Sequence, residues 1–256
     1  MMKKTICILL TFVMLLALCS CGQERVEGRK IENFVKPGYI GNGAYADTRR
    51  NEFDIRNQSI YMTGIIPDVL FIGDSITHFW DTEAIFDEYG TIVNRGIGGD
   101  VAENMAQRFY ADVVQLEPKV VVCMIGFNNT MPLKEFEDTT TEEYQKAESQ
   151  AVTCVKNNHD YIIRTCKENN IKLIMCTVTP TIWPEQMNTA INKINENLKA
   201  LCEENDIPLV NYHDALLGDD GIAINMEYTV DGTHPNYQGY SIMKDLLTPE
   251  LDKLLK

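Results

Sequence analysis

Val69-Leu70-Phe71-Ile72-Gly73-Asp74-Ser75-Ile76 sets the pattern on which the rest of the chain is read. Four apolar residues end at a glycine, and an acid and a serine follow. The arrangement recurs. Thr91–Asn94 runs into Arg95-Gly96-Ile97-Gly98-Gly99-Asp100, and Lys119–Ile125 (KVVVCMI) runs into Gly126-Phe127-Asn128-Asn129. Ile171–Val178 (IKLIMCTV) and Ile207–Val210 are the fourth and fifth runs. Short, continuous apolar runs without polar alternation suit strands buried on both faces. Helical stretches separate them at Val101–Gln115, Glu142–Asn169, Thr189–Glu204 and Tyr237–Leu255, with Asp100 and Thr141 as candidate N-caps. Alternating strands and helices predict an α/β protein: a three-layer α/β/α sandwich on a five-stranded parallel sheet. Its ligand crevice is expected beyond the carboxyl ends of the strands.

The 256 residues are 45% hydrophobic and 23% charged, an ordinary globular composition that excludes a disordered, collagen-like or polytopic membrane chain. A formal charge of −14, with no Lys/Arg run, argues against nucleic acid and against anionic lipid surfaces as partners. The start of the chain has its own character. Met1–Lys4 is basic and Ile6–Leu18 is almost wholly apolar, the n- and h-regions of an export signal. Leu18-Cys19-Ser20-Cys21-Gly22 resembles a bacterial lipobox, which implies cleavage after Ser20 and lipidation of Cys21. The expected organisation is a signal peptide over residues 1–20, a tether and extension over 21–64, and one α/β domain over 65–256. The extension reads as irregular or short helical structure packed on the domain. The domain is expected outside the cytoplasm, in the cell envelope, held to a membrane through its lipid anchor only. Five cysteines remain beyond this segment, at 123, 154, 166, 176 and 202, with no disulfide framework in their spacing. Cys123 and Cys176 read as core residues, and no Cys/His cluster has the spacing of a zinc site.

Four polar blocks sit at the predicted strand ends. Ser75 follows the first strand at the start of a helix, where it can either cap that helix or present a nucleophilic hydroxyl. The glycines of the second block let backbone N–H groups approach a bound atom closely. Their spacing is not that of a dinucleotide loop, and no Walker lysine follows. Asn128 in the third block is a side-chain donor, in a position where turns also favour asparagine. Asp231-Gly232-Thr233-His234-Pro235-Asn236 places an acid three residues before a histidine, and Pro235 keeps His234 out of the α region. The rival pairs are His213-Asp214, read as surface, and His159-Asp160, read as solvated. Ile76, Phe79 and Trp80 fall on one helical face and read as core, with His78 either bordering the pocket or capping. Trp183, just past the fourth strand, either stacks on a ligand ring or packs under its own loop.

Together and in this order, the four blocks resemble the SGNH hydrolase (GDSL esterase) family over about residues 67–240. The resemblance implies a flavodoxin-like fold and a Ser75–His234–Asp231 triad. It implies an oxyanion hole from Ser75, Gly99 (with Gly98 the fallback) and Asn128, and no metal or organic cofactor. The Gly-Ile-Gly-Gly-Asp and Gly-x-Asn-Asn forms are similar to platelet-activating factor acetylhydrolase subunits. The Gly-Asp-Ser-Ile-Thr-His and Asp-Gly-x-His-Pro-Asn forms are similar to bacterial carbohydrate acetylesterases. Ile76 stands where the family name has Leu, and Asn129 where many members have Asp. The expected activity is hydrolysis of small-acyl esters, acetyl foremost, on a small molecule or glycan. A lysophospholipase or thioesterase and a non-catalytic glycan-binding lipoprotein are the alternatives.

Overall fold

The computed structural model describes residues 25–38, 40–41 and 44–256, so the export signal and Cys21 lie outside the described residues. Helix α1 (Ala44–Thr63) precedes strand β1 (Val69–Gly73), short helices α2 (Ser75–Phe79) and α3 (Thr82–Ile85), and β2 (Ile92–Gly96). Then come α4 (Ala102–Asp112), β3 (Val120–Met124), α5 (Phe127–Thr130), α6 (Glu142–Glu168) and β4 (Lys172–Cys176). The chain closes with α7 (Glu185–Asn205), β5 (Leu209–Val210), α8 (Tyr212–Leu216) and α9 (Tyr237–Leu255). All five strands are parallel in the order β2-β1-β3-β4-β5.

Successive strand side chains point to opposite faces, and each face has its own apolar layer. Leu70, Ile72, Val121, Cys123, Leu173 and Met175 join residues of α4, α6 and α7. Val69, Phe71, Val122, Ile174 and Cys176 join Trp80, Phe86 and Met243, Leu247 and Leu251 of α9. Both parities of β1 and β3, and nearly all of β4, are therefore buried, which is why these strands read as apolar runs. This is the expected α/β/α sandwich. Cys123, Cys154, Cys166, Cys176 and Cys202 are free thiols.

The extension departs from its expectation. In place of irregular or short helical structure it contains a 20-residue helix, α1. Ala46, Arg50, Phe53, Asn57 and Tyr61, at helical spacing, are all buried. Arg50 and Asn57 make this face acceptable in a protein interior through Asp112 at the end of α4. Asp112 accepts from Arg50, from Arg108 Nη1 at 2.9 Å and from Asn57 Nδ2 at 2.7 Å. Asn57 Oδ1 in turn accepts from Arg95 Nε at 2.8 Å. Burial opposes ionisation of Asp112, but Arg108 and Arg50 outweigh it and hold the carboxyl below the usual range.

Two capping expectations divide. Thr141 caps α6, its hydroxyl accepting the Tyr144 N–H at 3.2 Å. Asp100 does not cap α4. Val101 holds that position without a side-chain bond, and the Asp100 carboxylate is taken by Arg108 at 2.8 Å.

Candidate active site

Ser75 is the first residue of α2, separated from β1 by Asp74 alone. The Asp74 carboxylate caps this helix by accepting the Ile76 N–H at 3.0 Å. Burial, with Asp100 nearby, pushes the Asp74 carboxyl up to about 7. The Tyr240 hydroxyl, on α9, donates to the Ile76 carbonyl at 2.8 Å and ties α2 to the far helix. Close packing of α2 on β2 requires glycine at Gly96, where a Cβ would stand 2.2 Å from the His78 nitrogen.

The loop after β2 is held by a buried arginine. Arg108 bonds the Gly73 carbonyl at 3.1 Å, the Arg95 carbonyl at 2.9 Å and the Asp100 carboxylate. One side chain thus clips the ends of β1 and β2 to the Gly98-Gly99-Asp100 turn. On the other side, Asn128 Nδ2 donates to the Asp100 carbonyl at 2.9 Å, and Asn129 Oδ1 accepts the Ala102 N–H at 3.0 Å. Within the turn, the buried Gly98 gives its N–H to His78 Nδ1 at 3.2 Å. Gly99 is exposed, has φ +80°, and has no atom within 4 Å of where a Cβ would stand.

His234 arrives from the loop before α9. Its Nε2 is 2.9 Å from Ser75 Oγ, and its Nδ1 is 2.7 Å from Asp231 Oδ2. Asp231 Oδ1 accepts the N–H groups of Thr233 and His234 at 3.0 and 2.8 Å. Burial works against ionisation of Asp231, but these bonds and the His234 ring hold its carboxyl below the usual range. The turn is docked on the segment after β4. Ile182 N–H and Thr181 Oγ1 both donate to the Gly232 carbonyl at 2.9 Å. Trp183 Nε1 donates to Thr233 Oγ1 at 2.9 Å, leaving the ring 42% exposed, with Lys134 Nζ 5.2 Å from its centroid.

The structure thus brings Ser75, His234 and Asp231 into one hydrogen-bonded chain and joins Asn128 to the glycine turn beside it. Such a chain can move a proton from a hydroxyl to an imidazole whose far nitrogen faces a carboxylate. Other expectations are corrected. His159 is 1% exposed, not solvated, and donates from Nε2 to the Ile125 carbonyl at 3.0 Å, bracing the end of β3. His213 is buried rather than at the surface, with Nδ1 3.0 Å from Asp214 Oδ1. Phe79 leaves the core that Ile76 and Trp80 share. It is 48% exposed, stacks on His78 with centroids 4.8 Å apart, and meets the His234 ring edge-on at 5.3 Å. Arg108 and Arg50 were not legible as site supports, since their partners lie elsewhere in the chain.

The sequence model of the GDSL-like Lipase/Acylhydrolase family matches residues 71–242, which span all four polar blocks, and the chain belongs to that family. It is a carboxylic ester hydrolase of the GDSL acylhydrolase type. A Bacteroides fragilis protein provisionally described as an acylhydrolase is 28% identical with a TM-score of 0.64, over 80% of this chain and 97% of that one. A GDSL-like lipase from Bacteroides thetaiotaomicron is 27% identical with a TM-score of 0.63, over 80% and 98%. An acetyl-xylooligosaccharide esterase from Geobacillus, 20% identical with a TM-score of 0.56 over 72% and 93%, shares the fold. No curated protein sequence matches the chain.

Proposed function

We propose that this esterase removes small acyl groups, acetyl foremost, from carbohydrate esters, with Ser75 as the nucleophile. The Ser75 hydroxyl attacks the ester carbonyl carbon while His234 Nε2 takes its proton. Asp231 keeps the other ring proton on Nδ1 and stabilises the imidazolium that forms. The oxyanion is held by the backbone N–H groups of Ser75 and Gly99 and by the Asn128 side-chain amide. A donor of this kind is worth about 3 kcal/mol of transition-state stabilisation. His234 then passes its proton to the departing alcohol oxygen. Water, deprotonated by the same His234, attacks the acyl-serine, which releases the acid and restores the Ser75 hydroxyl. These steps call on no metal or organic cofactor.

One observation carries this reading: the unbroken Ser75–His234–Asp231 chain with spacings of 2.9 and 2.7 Å. Gly99 is favoured over Gly98 as the backbone donor because the Gly98 N–H is already given to His78. A small acyl group is favoured by the short connections after β1 and β3, with one residue between β1 and α2 and two between β3 and α5. A carbohydrate is favoured by exposed rings around His234. Phe79 contacts it, Trp183 bonds the adjacent turn, and Tyr237, three residues on, is 86% exposed. Such rings stack on the faces of sugars. The fold is also that of an acetyl-xylooligosaccharide esterase. Exposed Ile182 and Val230 at the same rim favour a second reading, a longer acyl chain as in a lysophospholipase or thioesterase.

An ester panel separates these readings and the non-catalytic glycan-binding one. Acetylated xylan, acetylated sialic acid and simple esters of rising chain length are run beside a lysophospholipid. Acetate release from the glycans at higher kcat/KM than fatty-acid release is expected. Faster fatty-acid release overturns the acetyl reading, and binding of the glycans without turnover overturns the enzymatic one. We also propose export and lipidation at Cys21, supported by the basic start, apolar segment and Ser20-Cys21 junction. Loss of membrane association in Cys21→Ala tests that.

A further inference from the structure

Phe79 is a wall between two spaces. One of its sides meets the His234 ring edge-on at 5.3 Å. It also borders a cavity of about 280 Å³ between α1 and the turn joining α2 to α3. Arg49 and Arg56 line this cavity from α1, and His78, Asp81 and Glu83 line it from the catalytic side. Its size is at the small end of ligand pockets, roughly 300 Å³ and upward, and its lining is mainly polar rather than apolar.

The chemistry of the lining selects among ligands. Both arginines are already neutralised. Arg49 Nη1 lies 3.2 Å from Glu52, and Arg56 reaches Glu52 at 3.0 Å and Glu83 at 3.5 Å. A phosphate or carboxylate entering here would face Asp81 and Glu83, with the arginines' charge already met by Glu52 and Glu83 and none left to repay its desolvation. A neutral polyhydroxy ligand meets no such penalty. Its hydroxyls both donate and accept, which matches an interleaved set of guanidinium donors and carboxylate acceptors. Phe79, half exposed as a residue, adds aromatic surface to the cavity border.

The proton path sets the side on which the alcohol half lies. His234 Nε2 takes the proton from Ser75 and must hand it to the departing oxygen, so the alcohol half of the ester lies on the His234 side of Ser75. Phe79 stands against His234 on the way to the cavity. We propose that this cavity is a subsite for the alcohol half of a neutral glycoside ester, with α1 supplying Arg49 and Arg56 to it. The proposal rests on the carbohydrate-esterase reading above and extends it. Helix α1 lies outside residues 71–242 matched by the family model, so Arg49 and Arg56 reach the cavity from beyond the matched segment.

The test compares two substrates in three proteins: the natural chain, Arg56→Gln and Phe79→Ala. Both side chains are about half exposed, so the variants are expected to fold, and thermal melting checks this. The substrates are p-nitrophenyl acetate and the acetylated oligosaccharide that the natural chain turns over fastest. The ratio of kcat/KM for the oligosaccharide to kcat/KM for p-nitrophenyl acetate is expected to fall at least fivefold in each variant. Inhibition of p-nitrophenyl acetate hydrolysis by the deacetylated oligosaccharide should weaken in parallel. A smaller fall in both variants, with the natural chain active on the oligosaccharide, overturns the subsite and leaves the carbohydrate reading standing. If the natural chain hydrolyses p-nitrophenyl acetate but no acetylated oligosaccharide, the carbohydrate reading fails and the subsite fails with it.

Discussion

Replacing Asp231 by Asn isolates one proton in the proposed mechanism. Asp231 Oδ1 accepts two backbone N–H groups, from Thr233 and His234, and these require an acceptor. In Asp231→Asn the amide oxygen therefore stays on that side. The amide NH2 is then left facing His234 Nδ1, which lies 2.7 Å from Oδ2 in the natural protein. A donor there forces Nδ1 to become an acceptor and moves the ring proton to Nε2. That nitrogen is 2.9 Å from Ser75 Oγ and can no longer take its proton. The backbone geometry survives while the tautomer inverts. In comparable triads this change lowers kcat about 10⁴-fold, which corresponds to about 5.5 kcal/mol of activation free energy. The assay is kcat and KM for p-nitrophenyl acetate at pH 7 to 8. KM should change little, because no contact to substrate is removed. A variant that keeps more than a tenth of the natural kcat, with the same melting temperature, would refute the assignment of Asp231.

Asp112→Asn should destabilise the fold by about 3 to 5 kcal/mol, because the buried Arg50 and Arg108 lose their shared carboxylate. Melting should fall by about 10 °C, read by calorimetry, at roughly 2 to 4 °C per kcal/mol for a domain of this size. An unchanged melting temperature contradicts the view that α1 is locked on by this network. His159 sets a pH dependence, since burial, only partly opposed by its bond to the Ile125 carbonyl, lowers its ring pKa from 6.5 to about 4. The unfolded chain binds a proton between those values and the native state does not. Stability from this group is therefore full above pH 6.5 and falls as the pH drops toward 4, by about 3 kcal/mol in all. His159→Gln, which can still donate to the carbonyl, should flatten this acid limb in denaturant titrations, and an unaltered slope counts against it.

Much of this molecule is legible in its sequence, for identifiable reasons. Strands such as Val120–Met124 have both side-chain parities buried, so they stand out as unbroken apolar runs. Ser75, Asn128 and His234 stand beside strand ends or a rigid Pro-bearing turn, where short-range pattern carries their position. Helix α1 was hidden because its buried face, Ala46-Arg50-Phe53-Asn57-Tyr61, alternates apolar side chains with polar ones. Arg50 and Asn57 are buried only because Asp112 meets them from 62 and 55 residues away, and no local pattern records that. Asp100 misled for the same reason. Its carboxylate goes to Arg108, two turns along α4, rather than to the helix end it precedes. Phe79 and His159 reversed their expected exposure. The first is drawn out to flank His234, and the second is drawn in by a free carbonyl at the end of β3.

The central claim is that the Ser75 hydroxyl is the nucleophile, activated by His234. Labelling the whole protein with a fluorophosphonate and mapping the adduct by mass spectrometry tests it directly. The account predicts one adduct per chain, on Ser75, accumulating in step with the loss of esterase activity. An active protein that forms no adduct, or one inactivated with Ser75 unmodified, would contradict it.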